Sequence, residues 1–175
     1  MTSHECEKYL SDILKGEKSG LKQIYEEYYP AVLALALSIL NDYHRAEDAA
    51  QEVFLKLWKS VDSYKFGSNP KAFIMAITRN LSLDFLRKSK HEIPDDTIAD
   101  IGSENNDCVD DVVTSRVELE QALQYLPLIE RQIFVMHFAG DISYLFISRI
   151  LKMPLATVAW KCSHGAKTMR KILLK

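Results

Sequence analysis

Hydrophobic residues in the first half of the chain recur at intervals of three and four, the spacing that places side chains on one face of an α-helix. This pattern predicts a helix over residues 21–40 with a bend or break near Pro30, because proline cannot donate to the helical hydrogen-bond ladder. It predicts a second helix over 46–60 and a third over 70–90. The segment between these two, 61–68, is expected to be a loop.

The third predicted helix has two unlike faces. Asn69 and Pro70 provide its start, as N-cap and first helical residue. At about 100° per residue, one face collects the apolar side chains Phe73, Ile74, Ile77, Leu81 and Phe85. The opposite face collects the basic side chains Lys71, Arg79, Arg87 and Lys90. One face is therefore suited to a protein core and the other to a negatively charged partner.

Helical signals return in the last third of the chain. Ser115 and Glu118 form a capping-box pattern that opens a helix to about Tyr125. Pro127 starts another helix, which ends before Gly140.

Two further helices, 142–151 and 155–174, are separated by the three residues Lys152, Met153 and Pro154. A short helix, a short turn and a longer helix form the helix-turn-helix pattern of many DNA-binding domains. The fold class predicted for the whole chain is all-α.

The last predicted helix also has two faces. Its apolar stripe consists of Leu155, Val158, Cys162, Gly165, Ala166, Met169, Ile172 and Leu173. Its other side carries Thr157, Lys161, His164, Lys167, Thr168, Arg170 and Lys171, which suits phosphates and base edges in the DNA major groove. Trp160 lies on this polar side, where an indole is costly to leave in water. It is expected to contact a base, the sugar-phosphate surface or a protein, or else to pack against the preceding domain.

The distribution of charge divides the chain into three segments. Residues 1–90 carry 13 basic and 12 acidic groups, residues 91–115 carry eight acids and no Lys or Arg, and residues 116–175 carry nine basic and four acidic groups. The middle segment is typical of a linker extended by self-repulsion. We therefore expect two small helical domains, 1–90 and 116–175. The net charge of −2 excludes a protein that coats nucleic acid indiscriminately.

The linker acids have two interpretations. They could fold back on the basic faces and block DNA binding, or they could form a solvated tether. Both interpretations stay open at the level of sequence.

Several function classes are disfavoured by the sequence. It has neither the phosphate-binding nor the dinucleotide-binding glycine motif, and we expect no cofactor and no enzymatic activity. Its longest apolar run, 31–40, is too short to span a bilayer. The odd, widely spaced cysteines Cys6, Cys108 and Cys162 fit a reducing cytoplasm rather than a disulfide framework. His137 and His164 lack the partners that a metal site with Cys162 would need, so no metal is expected.

Aromatic and basic residues alternate from the loop into the third helix. They are Tyr64, Lys65, Phe66, Lys71, Phe73 and Arg79. Single-stranded nucleic acid is held by this mixture, with bases on aromatic faces and phosphates near cations. Phe73 has the helical phase of a core residue, whereas Tyr64 and Phe66 belong to the loop and are expected to be freer to act.

Two strings in the first domain carry a family resemblance. The run AEDAAQEVFLKLW at 46–58, followed by Thr78-Arg79-Asn80-Leu81 and Asp84-x-Leu86-Arg87, closely resembles region 2 of bacterial sigma-70 family factors. The second domain resembles region 4, through Leu126-Pro127, Glu130-Arg131-Gln132-Ile133-Phe134, Gly140-x-Ile142-Ser143-Tyr144, Ile150-Leu151 and Thr157-Val158. The similarity is to the extracytoplasmic-function (ECF) group, which keeps only regions 2 and 4.

The resemblance implies a promoter-specificity subunit that binds core RNA polymerase, recognises and melts promoter DNA, and directs transcription initiation. Its expected partners are the β′ coiled coil and β flap of the polymerase, promoter DNA and an anti-sigma factor. The polymerase-binding residues it implies are Asp48, Gln51, Glu52, Leu55 and Trp58. The candidates for the −10 element are Tyr64, Lys65, Phe66, Lys71, Arg79, Asn80 and Arg87. The candidates for the −35 element are Thr157, Trp160, Lys161, His164 and Lys167.

The second domain departs from the family pattern. Leu145 and Phe146 stand where acids are common, and Lys152 replaces the turn glycine, so it must adopt a left-handed conformation or reshape the turn. Trp160 and His164 replace residues that are usually basic or small and polar. These changes favour an alternative function, that of a sigma mimic that binds an anti-sigma factor without reading DNA.

Overall fold

The computed structural model describes residues 1–92, 119 and 121–174 of the protein. Its helices are α1 (Ser3–Leu14), α2 (Lys18–Leu40), α3 (Tyr43–Ser60), α4 (Pro70–Glu92), α5 (Leu128–Phe138), α6 (Tyr144–Leu151) and α7 (Leu155–Leu173). A 3-10 turn, Val61–Ser63, follows α3, and residues 121–124 are also helical. These residues contain no β-strand, and the predicted all-α class is confirmed.

Capping side chains set the starts of α3 and α4. The backbone N–H of Ala72 donates to Oδ1 of Asn69 at 2.8 Å, so α4 begins at Pro70 as predicted. Asp42 accepts from the backbone N–H of Arg45 at 3.0 Å. Because this cap lies further upstream than the hydrophobic pattern indicated, α3 begins at Tyr43 rather than near residue 46.

The predicted interruption near Pro30 does not divide the helix. α2 is assigned as one helix from Lys18 to Leu40, and it ends where Asn41 adopts a left-handed conformation. Neighbouring residues Ala31 and Val32 are buried, so tertiary packing holds the helical path across the proline.

Helix α1 was not predicted from the sequence. Thr2 and Glu5 form a reciprocal capping box at its start, and Cys6, Leu10 and Ile13 form its buried face. α1 packs closely on α2, since a Cβ built on Gly20 would lie 2.5 Å from the carbonyl oxygen of Tyr9. This helix therefore joins the core of the first domain.

The second domain follows the predicted helix-turn-helix order with one shift. α6 begins at Tyr144 rather than at Ile142, because Asp141 has a positive φ and the N–H of Ile142 donates to the carbonyl of Met136 at 3.1 Å. Lys152 occupies the turn between α6 and α7 with a left-handed φ of 54°. The turn is thus kept without the glycine, at a conformational cost to the lysine.

The boundaries predicted for the linker, 91–115, and the capping box of Ser115 and Glu118 lie largely outside the described residues. The division into 1–90 and 116–175 stays a prediction.

The two helical regions pack against each other. α2 contacts α5, and Ile133 and Met136 of α5 belong to the same apolar cluster as Val32 and Ile39 of α2. Nη1 of Arg131 donates to the carbonyl oxygen of Ser38 at 3.1 Å across this junction. The arrangement brings the start of α5 and the loop after it beside α4.

Candidate functional site

The outer face of α3 gathers the residues expected to bind polymerase. Asp48, Gln51, Glu52 and Leu55 are exposed at helical spacing, and Trp58 is half-buried at the end of the stripe. The opposite face of α3 is buried in the core and consists of Ala46, Ala49, Ala50, Val53, Phe54 and Leu57. Leu55 is 53% exposed although it is apolar, which makes it the natural centre of a contact surface. We call Asp48, Gln51, Glu52, Leu55 and Trp58 the α3 stripe.

An open groove separates α3 from α4. It is lined by Glu52, Leu81, Asp84, Phe85, Arg87 and Lys88. Across one end, Nη2 of Arg45 donates to the carbonyl oxygen of Phe85 at 3.0 Å. The exposed Arg87 pairs with Asp84 at 3.1 Å on the same helix. The groove thus combines an apolar floor with charges of both signs.

The loop before α4 leaves one aromatic ring exposed and buries the other. Tyr64 is only 5% exposed and packs on Phe66 and Phe73, with ring centroids 5.2 Å apart in each case. Burial raises the pKa of the Tyr64 phenol to about 12. Phe66 is 50% exposed, and Lys65 beside it is also exposed. The structure therefore differs from the expectation that both loop rings are free, because the ring of Tyr64 is buried as part of the core.

Two of the basic residues expected to meet the −10 element contact the second domain instead. Nε of Arg79 donates to Oε1 of Gln132 at 2.8 Å, and Nζ of Lys71 lies 2.5 Å from Oδ2 of Asp141. Gln132 is fully buried, and burial lowers the pKa of Arg79. We call these two contacts the α4 latch.

The remaining residues of the −10 set, Asn80 and Arg87, are exposed. In this arrangement α4 therefore exposes only part of the set of residues that is predicted to bind DNA.

The final helix carries an aromatic and basic cluster. Trp160 is 61% exposed and stacks on His164, with ring centroids 5.3 Å apart and planes inclined by 12°. Nζ of Lys161 lies 5.7 Å from the indole centroid. The exposure of Trp160 favours a contact surface over packing against the first domain. Thr157 is half-buried and Lys167 is exposed on the same helix.

A buried carboxylate supports this cluster from α5. Glu130 accepts from Nδ1 of His164 at 3.0 Å, and Lys161 lies 3.7 Å from its other oxygen. These contacts fix two of the predicted −35 residues, His164 and Lys161, against α5. A buried acid with two basic partners is a way of ordering long side chains on an exposed face.

The residues considered for a metal site have other roles. Nδ1 of His137 lies 2.9 Å from the carbonyl oxygen of Ile142, while His164 meets Glu130. Cys162 is buried, and burial raises the pKa of its thiol. Within residues 1–92, 119 and 121–174, no group of three or more His, Cys, Asp or Glu side chains is placed to hold a metal ion.

Across those same residues, no helix combines the length and hydrophobicity that crossing a membrane requires.

Four contact residues were missed by sequence reasoning as members of the site. Glu130, Arg131 and Gln132 were recognised only as part of a family string, and Asp141 was not singled out as a candidate site residue. Their partners lie far away in the chain: Arg79 and Gln132, for example, are 53 positions apart. Local patterns contain no signal for such contacts.

Comparisons with known protein families match both halves of the chain. Residues 24–92 match the model of sigma-70 region 2, and residues 116–167 match a model of sigma-70 region 4. The two matches contain the α3 stripe, the loop, α4 and the helix-turn-helix as far as residue 167.

Curated relatives of similar length also match. The chain is 30% identical to the ECF RNA polymerase sigma factor SigM of Bacillus subtilis, over 78% of this chain and 84% of SigM. It is 25% identical to the ECF RNA polymerase sigma factor SigW of the same organism, over 95% of each chain.

Two solved structures share the fold. One is the sigma factor RpoE in complex with the anti-sigma factor NepR from Bartonella quintana, at 25% identity and a TM-score of 0.68, covering 87% of this chain and 95% of that one. The other is CnrH in complex with the cytosolic domain of CnrY, at 15% identity and a TM-score of 0.70, covering 97% of each chain. At 15% identity the second likeness concerns the fold alone.

Proposed function

Since this chain belongs to the sigma-70 family and is an ECF-type RNA polymerase sigma factor, we propose that the α3 stripe is its docking surface for core polymerase. The stripe supports this assignment because it combines exposed carboxylates with an exposed leucine. A surface with acids around an apolar centre suits a partner that presents basic side chains around an apolar one. The β′ coiled coil is proposed as the partner of the stripe, and the β flap as the partner of the second domain.

We further propose that the loop and α4 open the −10 element. Phe66 and Lys65 are the exposed aromatic and cationic side chains of the loop, and Asn80 and Arg87 are exposed on α4. Together they provide the stacking and phosphate contacts that single-stranded DNA requires. The buried ring of Tyr64 supports Phe66 from behind. Lys71 and Arg79 join the DNA-binding surface once the α4 latch is released.

Release of the latch is part of the proposed mechanism. Lys71 and Arg79 use their donors on Asp141 and Gln132 in the compact arrangement, so those donors reach DNA only after the two domains part. Polymerase binding supplies the free energy for separation by holding the domains on two distant surfaces. The acidic segment 91–115, proposed as the linker between domains 1–90 and 116–175, gives the chain the reach that separation needs.

The last helix is proposed to read the −35 element as duplex DNA. Trp160, Lys161, His164 and Lys167 form its polar side, and Thr157 lies one turn before Trp160 and Lys161. Lys161 and Lys167 are expected to meet phosphates, and the exposed indole to contact a base or sugar edge.

The chain acts in the cytoplasm beside the genome and makes no covalent bond itself.

The observation that carries the proposal is the presence of both surfaces in one chain: an exposed acidic and apolar stripe on α3 and a basic helix beside an exposed aromatic loop. The experiment adds the purified chain to core polymerase and sequences the 5′ ends of transcripts made on its own genomic DNA. New start sites that share upstream elements are expected. Polymerase binding without new starts would contradict promoter reading.

A second function is favoured by the exposed apolar side chains Leu145, Leu155 and Trp160 of the second domain. They suit a protein partner, and an anti-sigma factor is the partner that we propose for them. In the alternative of a sigma mimic, capture of an anti-sigma factor would be the whole function, and the polymerase experiment would yield no starts. In the leading proposal, the anti-sigma factor holds the chain inactive until it is released.

A further inference from the structure

Helix α1 reaches the promoter-opening loop through one carboxylate. Oε1 of Glu7 accepts a hydrogen bond from the hydroxyl of Tyr64 at 2.7 Å and another from the backbone N–H of Gly67 at 2.6 Å. Glu7 lies upstream of the segment that matches region 2, which begins at residue 24. Both bonds lower the pKa of the Glu7 carboxyl, that from Tyr64 more than that from Gly67.

The two ends of the loop are fixed without Glu7. At its start, the N–H of Tyr64 donates to the carbonyl of Val61 at 3.0 Å and closes the 3-10 turn. At its end, Asn69 caps α4 through the N–H of Ala72. Between these points Gly67 has a φ of +82°, and a Cβ built there would have open space around it. The middle of the loop is therefore held chiefly by hydrogen bonds, of which the two to Glu7 come from outside the loop.

The hydrogen bond from Tyr64 to Glu7 also affects the position of Phe66, the exposed ring of the loop. The Tyr64 ring lies between Phe66 and Phe73, so fixing its hydroxyl fixes the surface on which Phe66 rests edge-on. The bond to Gly67 fixes the backbone on the other side of Phe66. Glu7 thus holds the residues that flank Phe66 in space and in sequence.

Glu7 itself stands on a rigid support. α1 is capped by Thr2 and Glu5, and Cys6, the residue before Glu7, is fully buried against α2. A functional side chain is held accurately when it stands on a packed helix and its neighbours are fixed by hydrogen bonds.

We propose that Glu7 is a positioning residue for promoter opening. It acts through Tyr64 and Gly67 to hold Phe66 and Lys65 where they receive an unpaired base of the non-template strand and its phosphate. This inference rests on the proposed function of the loop and adds α1 to the machinery that melts DNA. Without Glu7 the loop keeps its ends but loses its fixed centre, so the capture of an extruded base becomes slower while the rest of the fold is unchanged.

The test compares three variants of the full chain with core polymerase. Glu7→Leu removes both bonds, and Glu7→Gln keeps an oxygen acceptor without the negative charge. Glu5→Gln is the matched control, because Glu5 is a carboxylate of the same helix that caps α1 and does not touch the loop. The template is promoter DNA taken from the mapped start sites, with 2-aminopurine in its −10 element, and stopped-flow fluorescence follows the rate of opening.

Glu7→Leu is expected to slow opening about tenfold and Glu7→Gln about threefold, the range for losing or weakening one to two hydrogen bonds to a charged group. Their affinity for core polymerase and for closed promoter duplex is expected to stay within about twofold of the native value. Glu5→Gln is expected to open promoters at the native rate. A graded loss confined to the opening step distinguishes positioning from a general loss of structure.

Three results would overturn the inference. A folded Glu7→Leu chain that opens promoters at the native rate would do so, as would a polymerase affinity that falls in parallel with opening. A Glu5→Gln chain as slow as Glu7→Leu would assign the effect to α1 stability. If the native chain opens no promoter, the proposed function itself fails. If the native chain and the Glu7→Leu variant both open promoters at the same rate, only this inference fails.

Discussion

The α3 stripe and the basic face of α4 belong to one small domain, yet they meet the rest of the molecule differently. On α3, the carboxylates of Asp48 and Glu52 and the side chain of Leu55 are exposed. On α4, Lys71 and Arg79 are in contact with the second domain. If the proposed roles of the two surfaces are correct, the compact chain can meet polymerase before Lys71 and Arg79 are free to meet DNA.

The two contacts of the α4 latch are of unequal strength. Asp141 is 86% exposed at its side chain, and such ion pairs contribute about 0–1 kcal/mol because water and salt screen them. Gln132 is fully buried, and a buried amide that accepts from a guanidinium contributes more, about 1.5–3 kcal/mol. Arg79 is therefore the main polar restraint and Lys71 a minor one. DNA phosphate is a stronger partner for both cations than an exposed carboxylate or a neutral amide.

The largest expected effect is on the exposed side of this comparison. Leu55→Asp should weaken binding to core polymerase about thirtyfold, or about 2 kcal/mol, because it places a charge at the apolar centre of the stripe. The thermal unfolding midpoint should change by no more than about 2 °C, since the side chain is exposed. Tyr43→Asp is the control: Tyr43 lies on the same helix away from the stripe and is 49% exposed. Equal losses in both variants would show that the stripe has no special role.

A smaller effect is expected on α4. Arg79→Ala and Asn80→Ala should each slow promoter opening about tenfold and leave polymerase affinity unchanged, because both residues lie away from the α3 stripe. The two variants should differ in one respect. Only Arg79→Ala removes a latch contact, so only it should loosen the compact form, as followed by amide hydrogen exchange in α5. A parallel loss of polymerase binding and opening would contradict the assignment.

The smallest effect is expected from the exposed half of the latch. Asp141→Asn should raise the affinity of the polymerase-free chain for promoter DNA about twofold to threefold at low salt, because Lys71 loses its competing carboxylate. The effect should vanish near 0.5 M salt, where exposed charges are screened within about 4 Å. Fluorescence anisotropy with labelled duplex measures it. A change that persists at high salt would point to a rearrangement of the loop around Asp141 instead.

Sequence reasoning succeeded where a structure depends on neighbouring residues. The apolar face of α3, the capped start of α4 and the turn at Lys152 follow from helical spacing, one asparagine and a short segment between two helices. The left-handed conformation of Lys152 was one of two predicted outcomes, and it is the one observed. These features could be predicted because each is determined within about one or two helical turns.

Long-range contacts decided the features that were not predicted. Tyr64 was expected in a free loop, but two contacts hold it in the core. One is with Glu7, which lies 57 residues upstream, and the other is with Phe73 of the next helix. The spacing of Cys6, Leu10 and Ile13 is a helical signal that could have revealed α1. The latch contacts gave no such signal, because Gln132 and Asp141 look like ordinary polar residues until the two domains are packed together.

The central claim is that Lys71 and Arg79 must leave the second domain before the promoter opens. It is tested by linking the domains at the latch in the double variant Lys71→Cys/Asp141→Cys, with a short bifunctional thiol reagent that a reductant cleaves. Cys108→Ser removes a competing thiol, while Cys6 and Cys162 react slowly because burial raises the pKa of both thiols, that of Cys6 to about 11. The single variant Lys71→Cys, treated in the same way, controls for modification of the thiol.

The measurement is the rate of promoter opening by the linked chain and by the same chain after cleavage, each with core polymerase. The account predicts that the linked chain opens promoters at least about tenfold more slowly and that cleavage restores the rate. A linked chain that opens promoters as fast as the cleaved one would contradict the claim that the latch must release.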